Sequence, residues 1–281
     1  MRVIEEKTII ESIEKLFFDA NVIIPCDVNS RLEKSLEFET SDMAKKALEI
    51  IIENNKIAKN TNLPICQDTG MAVVFAKIGN DVHINTNRSF NDIVNEGVRR
   101  AYVDGKLRLS VVGDPLVRKN TNDNTPAIVY TELIGGDKIE LLALPKGFGS
   151  ENMSRIKMFN PTASKEDIIE FIVDCVKVAD ANPCPPVIVG VGIGGTFEYS
   201  ALLSKKALAR SLDEENPDPL YAEIEETALK RINELGIGAQ GFSGNTTALK
   251  VNVEKFPTHI AGLPVAVNIC CHVCRHKKTI L

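Results

Sequence analysis

The segment NPCPPVIVGVGIGGTFEYSALLSKKALAR, residues 182–210, holds a stiff loop, a buried strand and a helix in under thirty positions. Three prolines around Cys184 exclude a helix and present the thiol on a rigid backbone. Residues 187–191 form a continuous apolar run of strand length. A glycine-rich turn follows, Gly190-Val191-Gly192-Ile193-Gly194-Gly195, and a helix then runs through Leu202 and Ala209. The stretch thus offers a short buried strand and a helix.

The rest of the chain supplies both. Downstream, a helix is expected from about Pro219 to Leu235, stopped by Gly236. Strands over residues 248–253 and 265–269 lead into a cysteine-rich tail. Upstream, Ser164 with Asp167 caps a helix whose buried stripe is Ile168, Phe171, Ile172, Cys175 and Val176. Residues 127–134 and 138–144 read as a hairpin through Gly135-Gly136, and residues 71–78 as a strand. Two amphipathic helices open the chain, one through Ile9, Ile13 and Phe17 and one following Ser41 and ending near Asn60. The polar run DEENPDPL, residues 213–220, reads as a turn rather than a linker. These readings predict an α+β fold, irregular and mixed, with helices packed around a mixed, largely antiparallel β-sheet. One domain is expected over residues 1–281, with a helical N-terminal segment over about 1–60.

With 44% hydrophobic and 25% charged residues the composition is that of a globular protein, and a net charge of −5 gives no general attraction to nucleic acid or acidic membranes. No apolar run approaches the roughly 18–20 residues of a membrane span, and the N-terminus mixes acids and bases unlike a signal peptide. A cytoplasmic location follows as the expectation, with the seven cysteines reduced. An odd, uneven set is a poor disulfide framework, which leaves metal binding or burial.

Cys175 lies on an apolar helical stripe and reads as core, and Cys26 has no neighbouring signal. Cys66 differs. In Leu63-Pro64-Ile65-Cys66-Gln67-Asp68-Thr69-Gly70 three polar side chains follow the thiol before a strand. The tail, Cys270-Cys271-His272-Val273-Cys274-Arg275-His276, is compatible with zinc, with iron–sulfur or with unliganded thiols. One candidate from each of three loops would suit a four-iron cluster with one iron open. The glycine run matches G-x-G-x-x-G at Gly190, Gly192 and Gly195, but no clear acidic ribose partner ending a following strand stands about twenty residues on, so a tight turn is preferred to a dinucleotide site.

The segments LPICQDTG, PKGFGSENMSR, NPCPPVIVGVGIGGTFEYSALLSKKALAR, GIGAQGFSG and HIAGLPVAVNICCH occur in that order between residues 62 and 276. Together they resemble the α subunits of class I fumarate hydratases and of the related L-tartrate dehydratases. The resemblance implies a [4Fe–4S] cluster on Cys66, Cys184 and Cys271, with Cys270 the rival for the third position, and an open iron acting on the substrate hydroxyl. It implies Asp68 as general acid/base and His259 as a substrate contact. Gln67 and Arg108 are candidates to hold substrate carboxylates, and Gly149 to bring backbone N–H groups to an anion. It also implies a small dicarboxylate substrate, fumarate and L-malate leading and L-tartrate the alternative. Fused relatives carry a further region that this chain lacks after Leu281, so a separate β subunit is expected, with an α–α dimer inside a heterotetramer. A non-catalytic zinc-binding module is the competing reading from another class.

Overall fold

The computed structural model describes residues 1–281 as two compact units, each with its own core. One comprises Met1–Pro25, Asn55–Phe148 and Arg275–Leu281; the other comprises Cys26–Asn54 and Gly149–Cys274. In chain order the elements are β1 (Arg2–Glu5), α1 (Glu6–Val22), α2 (Cys26–Phe38), α3 (Asp42–Thr61), β2 (Met71–Gly79), β3 (Val82–Asn85) and α4 (Phe90–Val103). There follow β4 (Ile128–Ile134), β5 (Ile139–Lys146), α5 (Phe148–Glu151), β6 (Arg155–Phe159), α6 (Lys165–Ala179) and β7 (Val187–Gly195). The last are α7 (Phe197–Ala207), α8 (Pro219–Glu234), β8 (Ala248–Thr258), β9 (Leu263–Cys270) and β10 (Lys277–Ile280). Helices and mixed sheets together make an α+β fold, as expected. No helix is long and apolar enough to cross a membrane.

In the first unit the sheet order is β10-β5-β2-β4. The expected hairpin between β4 and β5 does not form. β2 lies between them, parallel to β4 and antiparallel to β5. The reason is burial. β2 is the most apolar of the three strands and β4 is largely exposed, so β2 takes the interior position and β4 the edge. Helices α1 and α4 pack on this sheet, with Ile9, Ile13, Phe17, Val94, Val98 and Tyr102 in the core. Ser89 caps α4 through a capping box with Asp92. The short β1 and β3 pair in parallel as a separate ribbon.

In the second unit the sheet order is β6-β9-β7-β8, with β7 parallel to β8 and antiparallel to β9. Strand β7 is longer than its apolar run indicates, because the glycines belong to it rather than to a turn. Alternate residues face opposite sides of a strand. Val187, Val189 and Val191 face the core shared with α6 and α8. Gly190 and Gly192 face α7, where an added Cβ would stand 2.1 Å from the Ser204 carbonyl and 2.0 Å from that of Ser200. The run is glycine so that a helix backbone can lie directly on the strand. Helix α6 starts at the expected Ser164–Asp167 capping box. Beyond α7, Arg210 bonds Glu225 of α8 and the Val253 carbonyl of β8, the latter at 3.0 Å.

Candidate functional site

In the first unit residues 63–70 run between α3 and β2 without regular structure, held by the surrounding backbone. The buried Ile65 donates its N–H to the Asn21 carbonyl at 2.9 Å. At the other end Gly70 has φ +78°, and an added Cβ would stand 2.8 Å from the Lys146 backbone of β5. Only glycine allows that passage. Between these anchors Cys66 and Asp68 are half-buried and Gln67 is exposed.

Both oxygens of Asp68 are engaged. Oδ1 accepts from Gly70 N–H at 3.0 Å and Oδ2 from Phe148 N–H at 2.9 Å, which fixes the carboxylate's direction. The Asp68 N–H in turn points to Cys66 Sγ at 3.4 Å. Thr69 Oγ1 accepts from Arg108 N–H at 3.0 Å and donates to the Arg108 carbonyl at 3.1 Å. That pair ties the exposed Arg108 to the turn. The Tyr102 hydroxyl donates to the Thr69 carbonyl at 2.7 Å, with that of Gly70 at 3.1 Å. Burial pushes the Tyr102 phenol well above its usual range, the Arg275 charge opposing, so it stays a donor. Arg275 Nη2 donates to the Asp68 carbonyl. The unit thus brings Cys66, Gln67, Asp68 and Arg108 together.

The second unit carries Cys184, Cys271, Gly149 and His259. Cys184 is exposed with φ +54°, directly before a cis Pro185–Pro186 bond. Its carbonyl lies 3.4 Å from His272 N–H and 3.0 Å from His272 Nδ1, so the Cys184 loop abuts the residue following Cys271. Gln240 clamps the same loop. Its backbone N–H and Nε2 both donate to the Pro185 carbonyl, at 2.8 and 2.9 Å, and Nε2 stands 3.2 Å from His272 Nδ1.

The tail thiols are not equivalent. Cys270 and Cys274 are buried, the latter donating to the Leu208 carbonyl at 3.5 Å, whereas Cys271 is partly open. Cys175 is buried in the core on α6, and burial pushes its thiol up to about 12. Cys26 begins α2 and is exposed.

His259 follows β8 and is exposed; its Nδ1 accepts from Ala261 N–H at 3.2 Å. Gly149 lies within the single helical turn of α5. An added Cβ there would meet nothing within 4 Å, so protein packing does not demand a glycine.

None of the seven cysteines is in a disulfide. Neither unit by itself gathers three His, Cys, Asp or Glu side chains able to hold a metal ion. Cys66 belongs to one unit and Cys184 and Cys271 to the other. The donor chemistry nevertheless fits an iron–sulfur group. Cys66 and Cys184 are reduced thiols on loops with braced backbones, and a backbone N–H already faces the Cys66 sulfur. Tyr102, Gln240 and Arg275 act on these loops from outside them. The signal for Gln240 and Arg275 was their place beside GIGAQG and the tail cysteines; Tyr102 carried none.

The family model for fumarate hydratase (Fumerase) matches residues 10–280. A Methanocaldococcus jannaschii protein, provisionally named L(+)-tartrate dehydratase subunit alpha, is 41% identical over 263 residues, covering 92% of both chains. L(+)-tartrate dehydratase subunit alpha of Escherichia coli (strain UTI89) is 32% identical over 251 residues, 88% of this chain and 82% of its own. Its namesake from Shigella boydii is 31% identical over the same shares.

Proposed function

The chain belongs to the fumarate hydratase (Fumerase) family of hydro-lyases, and from that premise we propose that it is the α subunit of an iron–sulfur enzyme interconverting fumarate and L-malate. The observation that carries the reading is the Cys66-Gln67-Asp68 turn. A thiol, a carboxamide and a carboxylate stand in consecutive positions on a braced backbone, with both Asp68 oxygens aimed by N–H donors.

Cys66, Cys184 and Cys271 would hold a [4Fe–4S] cluster, with Cys271 preferred to Cys270 because it is the more accessible. When bound, a three-thiolate cluster supplies a Lewis acid that makes the hydroxyl a better leaving group. The chain's own residues would supply part of the rest, a β subunit being needed for full activity. In the dehydration direction Asp68 takes the proton from the carbon next to the one bearing the hydroxyl, and in hydration it returns it. The Gln67 carboxamide donates to one substrate carboxylate, and the Arg108 guanidinium clamps a carboxylate in bidentate fashion. The backbone N–H at Gly149 and the His259 imidazole, whose Nδ1 is already engaged, are the remaining polar contacts assigned to substrate.

L-Tartrate is the second reading, favoured by the names of the curated relatives. It adds one hydroxyl to malate and asks for one more hydrogen-bonding partner. The same relatives are named as α subunits, which supports a β subunit here; two α chains in a heterotetramer are the arrangement we propose. A cytoplasmic setting suits reduced thiols.

The test is an anaerobic assay of the chain with its β partner on L-malate and L-tartrate. A kcat/KM at least tenfold higher for malate is expected, and preference for tartrate would reverse the two readings. Cys271→Ser should remove most bound iron and sulfide and Cys270→Ser little. The opposite pattern would move the third ligand to Cys270.

A further inference from the structure

Arg275 is nearly sealed from solvent, at 3% exposure. Its guanidinium makes one hydrogen bond, from Nη2 to the Asp68 carbonyl, while Nε and Nη1 are buried without a partner. A buried lysine or histidine can relieve its position by losing a proton, but an arginine keeps its charge. A buried, unpaired cation is strongly unfavourable unless something compensates it. No carboxylate of the chain hydrogen-bonds it, although the Asp68 carboxylate, like Arg275 itself, acts on the nearby Tyr102.

The surroundings say where compensation belongs. The guanidinium holds the Asp68 carbonyl, and its charge reaches Tyr102, whose hydroxyl holds the carbonyls of Thr69 and Gly70. Asn21, whose carbonyl anchors Ile65 at the start of the same turn, also has a buried Oδ1 without a partner. Unsatisfied donors and an unsatisfied acceptor therefore gather behind the segment that bears Cys66, Gln67 and Asp68. A trapped water would satisfy hydrogen bonds there, but it would not neutralise the charge.

We propose that Arg275 is a positioning residue for the 66–70 turn and the fixed counter-charge for the anion received there. This rests on the function proposed above. The anion is either the thiolate-held cluster or a carboxylate of the substrate, and the two sources separate experimentally. Arg275→Gln removes the charge, and Arg275→Lys keeps the charge while losing the fork.

Wild type and both variants would be prepared anaerobically. Melting temperatures are taken without iron, after loading with iron and sulfide, and with added malate, and kinetics are measured with the β partner. If the cluster is the anion, loading raises the melting temperature of wild type more than that of R275Q, with R275K between. If a carboxylate is the anion, loading is equal but KM for malate rises at least tenfold in R275Q, kcat changes less, and R275K recovers part. Equal loading increments together with unchanged KM in R275Q would overturn the inference and leave a hydrated, structural arginine.

Failure of the proposed function shows differently: wild type would take up no iron and sulfide and turn over neither acid. The response of the iron-free chain to malate and sulfate then decides. A thermal shift lost in R275Q keeps Arg275 as an anion site, and an equal shift, or none in wild type, ends it. Should R275Q not fold, R275K carries the same comparisons.

Discussion

Asp68 is oriented by accepting from two backbone N–H groups, and Asn cannot reproduce that arrangement because it offers one oxygen and one NH2. In Asp68→Asn either Gly70 or Phe148 is left facing a donor, at a cost of about 1–3 kcal/mol. The variant should still fold and take up iron and sulfide, while kcat falls by roughly 10²–10⁴, the usual loss of a proton-transfer group. Parallel measurement of kcat and bound iron checks this. A variant with full iron and a kcat within tenfold of wild type would release Asp68 from its role. The turn that carries Asp68 was marked in the sequence by its neighbours, Cys66 before and Gly70 after, while the role proposed for Asp68 came from the resemblance. Arg275 was not marked, since its meaning lies in a contact with a residue about two hundred positions away.

At the level of elements, some local signals could be read and pairing could not. The capping box at Ser164 forms as expected and α3 follows Ser41, whereas α2 and α4, the latter with its own capping box at Ser89, were not read from the sequence. The β4–β5 hairpin failed because Gly135-Gly136 marks a reversal of the chain but cannot report that β2 would claim the place between the strands. The glycine run failed for a related reason. Glycine in a strand and glycine in a turn look alike until the helix lying on the strand is known. That contact yields a sharp expectation. In Gly192→Ala the new methyl would stand 2.0 Å from the Ser200 carbonyl, which is backbone and cannot rotate away. Helix α7 must lift from β7, costing about 3 kcal/mol and lowering Tm by roughly 5–10 °C. Gly236→Ala, where an added Cβ meets nothing within 4 Å, suffers only from its φ of +67° and should cost about 1 kcal/mol. Equal losses in thermal melts of the two variants would mean that the close helix–strand approach is not what the glycine serves.

For the whole molecule, carboxylates held below their ordinary range make acid the vulnerable side. In the first unit hydrogen bonds from Arg99, then Arg100, hold Glu96 down to about 2 from its usual 4.5, against an opposing push from burial. In the second, burial pushes Glu39 up, but the N–H groups of Ser41, Asn245, Thr40 and Thr246 outweigh it, so its carboxyl also lies low. Hydrogen bonds from Ser164 do the same for Asp167, and one from Lys255 for Asp218. A carboxyl whose folded pKa is depressed binds its proton more readily in the unfolded chain. Its contribution is therefore complete above about pH 4.5 and is lost as pH falls towards 2. Between pH 7 and pH 5 the melting temperature should stay nearly level on this account, and below about 4.5 it should fall steadily. Glu96 sits on a partly exposed helix face, so solvent screening limits its share to about 1 kcal/mol. Glu96→Gln should lower Tm at pH 7 and leave a shallower slope between pH 4.5 and 2 than wild type shows. Melts of both proteins across that window decide the matter, and parallel curves would show that the Arg99–Glu96–Arg100 cluster contributes nothing to the acid limb.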